Sequence, residues 1–441
     1  MRAVRLHAFG PAENLVVDEV PDPVPAPGEV LVRVAAAGAH LLDTALRQGL
    51  RGPLPEPPRL PTVPGREVAG TVTALGAGVP ARWLGKRVVA HLGLVPGGYA
   101  EQAAVPAGRL HEIPGPLGFA QAVAMIGTGR TTLAVLGFAE PGPGDVVIVP
   151  GAAGGMGTLL VQYAKHAGAT VVGIAGGPAR TALVAAGAAD LAVDRTRPDW
   201  PVEVRAFLDG RAEAAGTGAG PESGSGTGPG ADTGPGPGAR PGAGPGARPG
   251  AGPGARPGAG PESGPESGPG SGAGPGSGSG AGPDARRGGG PEGGPGGGPG
   301  TGPDARLGSG PGIAGRRATI VFDGVGGGTA RAAVDLLAPG GHHVVFGWFD
   351  EGDDVHGGEA LTFPASYLTE RGIRSEVVLG PRILSRVGGP DPMRTLESRS
   401  LRLAAEGRLV PAVQRFPLAD AAGAHRAMEA RTTVGKVVLE P

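Results

Sequence analysis

The residues whose spacing first points to chemistry are a run of small ones, Gly151-Ala152-Ala153-Gly154-Gly155-Met156-Gly157. They follow the apolar stretch Val146-Val147-Ile148-Val149 and precede Thr158-Leu159-Leu160-Val161. Read from Ala152 the spacing is A-x-G-x-x-G. Side chains this small let a backbone approach a pyrophosphate, and a helix that starts there offers free N–H groups and the positive end of its dipole. In a chain with 89 glycines the bare pattern carries little weight. Its place between a strand and a helix gives it weight, so Ala152, Gly154, Gly155, Met156 and Gly157 are expected to hold the phosphates of a dinucleotide.

The following strand decides which dinucleotide. An acidic residue about 20 positions on would bind a ribose 2′-hydroxyl and repel a 2′-phosphate. Here the strand ends Gly173-Ile174-Ala175-Gly176-Gly177 with no acid, Arg180 follows within the next turn, and Arg195 comes after the next strand. Guanidinium groups suit a phosphate dianion, so the expected cofactor is NADPH. The other reading of either arginine alone is a solvated surface charge.

The elements that must position these residues fall into two textures. Residues 1 to about 118 read as short strands between turn residues: Ala3 to Leu6, Leu15 to Glu19, Glu29 to Val34, Val68 to Ala74 and Arg87 to Ala90. From about 119 helical patterns alternate with buried-type strands. Helices are expected over Ala120 to Ile126, Thr131 to Leu136, Met156 to Ala167, Ala179 to Ala186, Val202 to Leu208 and Ala330 to Leu337. Strands are expected at Val146 to Val149, Thr170 to Ile174, Leu191 to Val193, Ala318 to Phe322, His343 to Phe346 and Ile373 to Leu379. Such alternation implies a parallel sheet with helices on its faces.

A Gly/Pro tract at 213–312 interrupts the alternation. Positions 216 to 312 hold 40 Gly, 19 Pro and one large apolar residue, Leu307. Ordering a residue costs about 1 to 2 kcal/mol, and a segment with nothing to bury does not recover it, so the tract reads as a disordered insertion inside the sheet domain. An eight-residue repeat starts at Gly238, Gly246 and Gly254, without the glycine at every third position that collagen needs. Several functions are excluded by what is missing. Zero cysteines rule out a disulfide framework, a thiolate nucleophile and a cysteine-ligated zinc. A net charge of −1 gives no footprint for nucleic acid, and no apolar run approaches 18 residues, so a soluble cytoplasmic protein that binds neither nucleic acid nor membrane is expected.

Several ordered segments together resemble one family. They are Pro27-Gly28-Glu29-Val30-Leu31-Val32-Arg33-Val34, Ala36-Ala37-Gly38 followed by Asp43, Pro64-Gly65-Arg66-Glu67-Val68-Ala69-Gly70 and Gly97-Gly98-Tyr99-Ala100-Glu101. Further on come Gly127-Thr128-Gly129, the Gly151 to Gly157 loop, Phe322-Asp323-Gly324-Val325-Gly326-Gly327, Ala338-Pro339-Gly340-Gly341 and Gly435-Lys436-Val437-Val438-Leu439. Outside the insertion the chain resembles the zinc-independent quinone oxidoreductase branch, zeta-crystallin among it, of the medium-chain dehydrogenase/reductase superfamily. The resemblance implies an α/β fold: a doubly wound Rossmann domain over 119–382, and a GroES-like β-barrel substrate domain over 1–118 plus 383–441. It also implies a cofactor in the cleft between them and a homodimer.

Carried over by position, Thr128 and Gly347 would sit near the nicotinamide and Arg180 would hold the 2′-phosphate, while Arg195 stands where a Tyr is common. His40 stands where an Asn near the nicotinamide is typical, and Ala45 where a Tyr often lines the substrate pocket. Zinc-dependent cousins would want a Cys near Gly38 and a His at 66, so Ala39 and Arg66 remove the metal. Without a Lewis acid the protein must position an acceptor whose anion is delocalised, a quinone or a conjugated carbonyl. His40, with an ordinary pKa of about 6.5, is the ionisable candidate for giving a proton, against the alternative of a satisfied structural histidine. Asp43 and Arg47 are expected to form an ion pair in the cleft wall. Two other functions stay open: an enoyl-thioester reductase, and a nucleotide-binding structural or RNA-binding protein without turnover.

Overall fold

The computed structural model describes residues 1–50, 56–216, 316–347, 362–378 and 381–441. The eight-residue repeat, nearly all of the 213–312 tract, the loop 348–361 and part of the loop 49–62 lie outside the described residues. Those that are described belong to one compact unit.

Runs of β-branched residues with no polar interruption build a sheet that is covered on both faces. Val146–Pro150 and Thr170–Ala175 are buried at every position. Leu191–Asp194, Ala318–Asp323, Leu337–Val345 and Arg374–Val377 complete six strands, each parallel to its neighbour. Taken in chain order, they lie third, second, first, fourth, fifth, sixth across the sheet. This is the doubly wound order, whose direction of winding reverses between the first and fourth strands and opens a crevice at their carboxyl ends. The loop Gly151–Gly157 leaves the first strand at that point.

Helix positions follow the expectations with two differences. The helix expected at 330–337 spans Gly327–Val334, and Leu337 already pairs with Ala318 as strand, because Pro339-Gly340-Gly341 cannot extend a helix and the apolar run beyond joins the sheet. The piece expected at Val202 to Leu208 is a 17-residue helix, Trp200–Gly216, so four residues of the expected insertion are helical.

The second sheet has seven strands. Val413–Pro417, Lys436–Glu440, Glu29–Ala39, Glu67–Leu75, Arg87–His91 and His111–Glu112 lie side by side, with Gln102–Pro106 also on Glu29–Ala39. Glu29–Ala39 is long enough, at 11 residues, to pair with Glu67–Leu75 along most of its length, with Gln102–Pro106 over its first five residues and with Lys436–Glu440 over its last three. Its first half alternates, with Val30, Val32 and Val34 facing a core that includes Leu6, Val72, Val105 and Leu439. Leu439 lies over 400 positions after Leu6, so this core forms only when the chain returns from the parallel sheet.

Between the sheets the helices Phe119–Ala124 and Arg130–Leu136 are joined by a π-helical turn, Met125–Gly129. Such wide turns interrupt the regular hydrogen-bond ladder and recur at functional sites. Helix Pro392–Ala405 braces it, Ser400 Oγ donating to the Met125 carbonyl at 2.8 Å.

Candidate functional site

A cavity of about 990 Å³ fills the crevice. Gly154, Gly155, Met156 and Gly157 line one end of it. These residues open the helix Gly155–His166, whose first N–H groups have no partner inside the helix. Gly157 is required by contact: a Cβ there would strike the Gly151 carbonyl and the Ala152 backbone. Ala152 departs from expectation. It does not line the cavity, and its N–H is spent on the Ile174 carbonyl at 3.0 Å, which pins the loop to the second strand.

Arg180 and Arg195 meet at the end of that second strand. Both guanidiniums close around Gly176, within 3.2 and 3.0 Å of where its Cβ would lie, and Arg180 Nε donates to the Gly176 carbonyl at 2.5 Å. Burial and the neighbouring Arg195 charge both push the Arg180 guanidinium below its ordinary value. Two guanidiniums thus stand side by side at the end of the strand, with the Asp194 carboxylate close enough to act on Arg180.

Thr128, Phe346 and Gly347 also line the cavity, Thr128 against Gly155. Thr128 stands on the π-helical turn, and Gly347 packs on the Gly324 backbone so closely that no Cβ fits. His40 lines the cavity too, caught between Glu67 and Lys436, which stand in the sequence only as parts of motifs. His40 follows the strand Glu29–Ala39. Lys436 begins the strand Lys436–Glu440, antiparallel to it with Val437 opposite Ala39. Glu67 begins the strand Glu67–Leu75 on the other side, where Val68 pairs with Ala37. Three strand ends thus bring three ionisable groups together. His40 Nε2 lies 2.7 Å from Lys436 Nζ and 2.7 Å from Glu67 Oε1, and Lys436 Nζ lies 2.9 Å from Glu67 Oε2. The pairing of Glu67 is one of charge at contact distance, since neither of its oxygens has a hydrogen bond of good angle. Glycine makes the room: a Cβ on Gly38 or Gly127 would collide with the Glu67 carboxylate.

Glu67 is fully buried and Lys436 is 4% exposed, whereas the His40 side chain is 27% exposed. Burial opposes ionisation of Glu67, but the charges of His40 and Lys436 outweigh it and hold the carboxyl well below the usual carboxylate range. Burial lowers the Lys436 ammonium against the upward pull of Glu67. Nearby, burial and the Arg130 charge push His91 down to about 3, so it stays neutral.

Asp43 and Arg47 do not pair. Asp43 Oδ2 accepts the His40 N–H at 2.8 Å and the Tyr99 hydroxyl at 3.2 Å, and its Oδ1 lies 3.5 Å from Arg66 Nη2. Arg47 is turned away to Glu429 and the Gly10 carbonyl. Both are structural anchors of the helix Leu41–Arg47. Ala45 is buried outside the cavity lining. Lys436 did leave a signal in the sequence, as one of three lysines in a chain whose cations are otherwise arginine.

Two family models match the chain: the alcohol dehydrogenase GroES-like domain over residues 26–115 and the zinc-binding dehydrogenase over 312–439. The quinone oxidoreductase of Lama guanicoe is 38% identical over 179 residues, 40% of this chain and 53% of that protein. The 2-haloacrylate reductase of a Burkholderia species is 36% identical over 176 residues, 39% and 52% respectively. In both cases the match spans about half the length of the relative. The solved quinone oxidoreductase of Escherichia coli in complex with NADPH superposes over all of both chains, with a TM-score of 0.65 at 21% identity. By these matches the chain is similar to quinone oxidoreductases of the medium-chain dehydrogenase/reductase kind, and it shares their fold.

One matching model carries zinc in its description, and the residues here do not suit that metal. The position where zinc-dependent members place a histidine is Arg66, whose cation lines the cavity, and Lys436 Nζ sits against the His40–Glu67 imidazole–carboxylate pair. Among the described residues no three His, Cys, Asp or Glu side chains are grouped to hold a metal ion.

Proposed function

We propose that the protein is an NADPH-dependent reductase that passes hydride to a quinone or an α,β-unsaturated carbonyl without a metal. What carries the reading is the Arg180–Arg195 pair closing on Gly176 at the end of an acid-free strand, in line with the helix start that Gly155 to Gly157 open. The cradle fits the group: small residues where phosphates approach, free N–H groups at a helix start, and a cation pair for the 2′-phosphate. Bound NADPH supplies the hydride. Thr128 and Gly347 would flank its nicotinamide, and the cavity beyond would take a small planar acceptor.

A second reading, reduction of an enoyl thioester, draws on Arg109 and Arg394, which line the same cavity and would meet an anionic carrier group. A homodimer is part of the proposal. Among the described residues no helix is long and apolar enough to cross a membrane.

Titration with NADPH and NADH tests the cofactor. NADPH should bind more tightly, and Arg180→Ala should cost about 1.5–3 kcal/mol in NADPH affinity, tenfold or more, with little effect on NADH. Equal affinities in the wild type would overturn it. Rates of NADPH oxidation with quinones, enones and an acyl thioester then separate the two substrate classes.

A further inference from the structure

The contacts around His40 cannot all be hydrogen bonds at once. Nε2 lies 2.7 Å from an amine and 2.7 Å from a carboxylate oxygen. If it carries a proton it serves Glu67 and turns an N–H toward the Lys436 ammonium. If it carries a lone pair it accepts from Lys436, and the ring proton of the neutral imidazole must then sit on Nδ1. The contact geometry favours the second arrangement, since the Lys436–His40 contact meets hydrogen-bond geometry and neither Glu67 oxygen does. Glu67 therefore serves as the counter-charge that keeps Lys436 an ammonium in a site where it is 4% exposed.

Resting on the reductase reading above, we propose that Lys436 is the proton source of the reaction and that the His40 ring relays its proton to the substrate. When hydride from the bound nicotinamide adds to the acceptor carbon, the acceptor's C=O or C=C π bond opens and its electron pair comes to rest on oxygen. That oxygen takes the proton from His40 Nδ1, the ring nitrogen not engaged with Lys436. Nε2 takes a proton from the Lys436 ammonium in the same sense. The acceptor has then gained one hydride and one proton, and Lys436 is left as a neutral amine. Burial favours that neutral amine. Solvent restores the proton through His40, the one member of the group with appreciable exposure. Glu67 exchanges no proton, because the Lys436 ammonium beside it keeps it ionised.

Arginine separates this role from a mere charge, since its guanidinium keeps the ammonium's charge and does not release a proton. The first measurement is ¹⁵N NMR of the full chain with histidine-selective labelling, His40 being assigned by His40→Asn. The wild type should show the Nδ1–H tautomer, Lys436→Arg should keep it, and Lys436→Met should shift it to Nε2–H facing Glu67. The second is turnover with the best acceptor of the panel at saturating NADPH. Both Lys436→Arg and Lys436→Met should lose at least tenfold in kcat with NADPH affinity unchanged within twofold, and the solvent deuterium isotope effect on kcat should rise. An Nε2–H tautomer in the wild type overturns the relay, and so does full turnover in Lys436→Arg. A wild type that reduces nothing in the panel sinks the reductase reading and the relay with it; failure of the relay alone leaves the wild type active.

Discussion

Two histidines of this chain sit with an acid and a third polar partner, and they have opposite characters. His343 lies at the carboxyl end of the parallel sheet, 3.3 Å from Asp323 Oδ2 through Nε2 and 2.9 Å from Ser375 Oγ through Nδ1. The three come from neighbouring strands, Ser375 directly opposite His343 and Asp323 two residues beyond its register partner Val321, and Asp323 Oδ1 also takes the N–H groups of Val325 and Gly326. Every nitrogen of the ring has one partner, and the residue is 0% exposed. At His40 one nitrogen has two competing partners and the ring opens on a cavity. The serine, histidine and acid near Asp323 are the residue types of a hydrolytic triad, yet they are sealed and fully satisfied. Demand left over after folding, joined to access, marks a site better than residue type does.

The largest effect should come from breaking the charge balance at the open group. Glu67→Ala leaves the buried Lys436 ammonium uncompensated, so unfolding in urea should lose about 3–5 kcal/mol with an unchanged m-value. Lys436→Met added to Glu67→Ala should restore part of that loss, a coupling a double-mutant cycle reads directly. A double variant no better than the single one would mean that the ion pair is not what keeps Lys436 in place.

The sealed group should respond in stability alone. His343→Leu leaves Asp323 Oδ2 and Ser375 without their partner, at a cost of about 1–3 kcal/mol. NADPH affinity and turnover in that variant should stay within twofold of the wild type at a temperature where both are folded. A selective loss of turnover would mean that His343 acts on the reaction as well as on stability.

How much of this was legible in the sequence divides along the same line. The parallel sheet announced itself through local runs such as Val146-Val147-Ile148-Val149, and the Gly151 to Gly157 turn through small residues in a strand–helix context. Both are patterns within about a dozen residues. The His40 group is assembled from positions 40, 67 and 436, at the ends of three strands whose register no local pattern reveals. His40 was found by position in the family pattern, while Glu67 and Lys436 were visible only as members of motifs. The expected Asp43–Arg47 pair failed for a related reason. A spacing of four on a helix puts two charges on one face, but Tyr99 and Glu429, distant in sequence, claim them first.

A third histidine sharpens the comparison through pH. His425 is sealed as His343 is, edge-on to Tyr99 with Nε2 3.2 Å from its hydroxyl, but its Nδ1 has no partner. Burial, aided by the Arg47 charge, pushes it down to about 4. In the unfolded chain it titrates near 6.5, so between those values the unfolded state binds more protons and stability falls as pH falls. The loss should begin below pH 6.5 and approach about 1.4 kcal/mol per pH unit from this residue, ending near pH 4. Urea titrations at pH 7 and pH 5 should show it, and His425→Gln should flatten that part of the slope. An unchanged slope would place the acid sensitivity elsewhere, with His91 the next residue to replace.

The smallest effect, none at all, is expected from metal removal, and it bears on the open group most sharply. His40 and Glu67 are an imidazole and a carboxylate 2.7 Å apart beside the cavity, and since one matching model describes zinc-binding dehydrogenases such a pair invites a metal reading. The charges around them argue otherwise. Lys436 Nζ is within 2.9 Å of both side chains, and Arg66 brings a second cation from the neighbouring position. A divalent ion placed there would face two fixed positive charges in a poorly solvated pocket, and it would have to displace the ammonium that already neutralises Glu67. Dialysis against a strong chelator should therefore leave turnover and melting temperature unchanged, and added zinc should raise neither. Activity lost to the chelator and regained with zinc would show that the ion outcompetes Lys436, which would turn His40 from a proton carrier into a ligand.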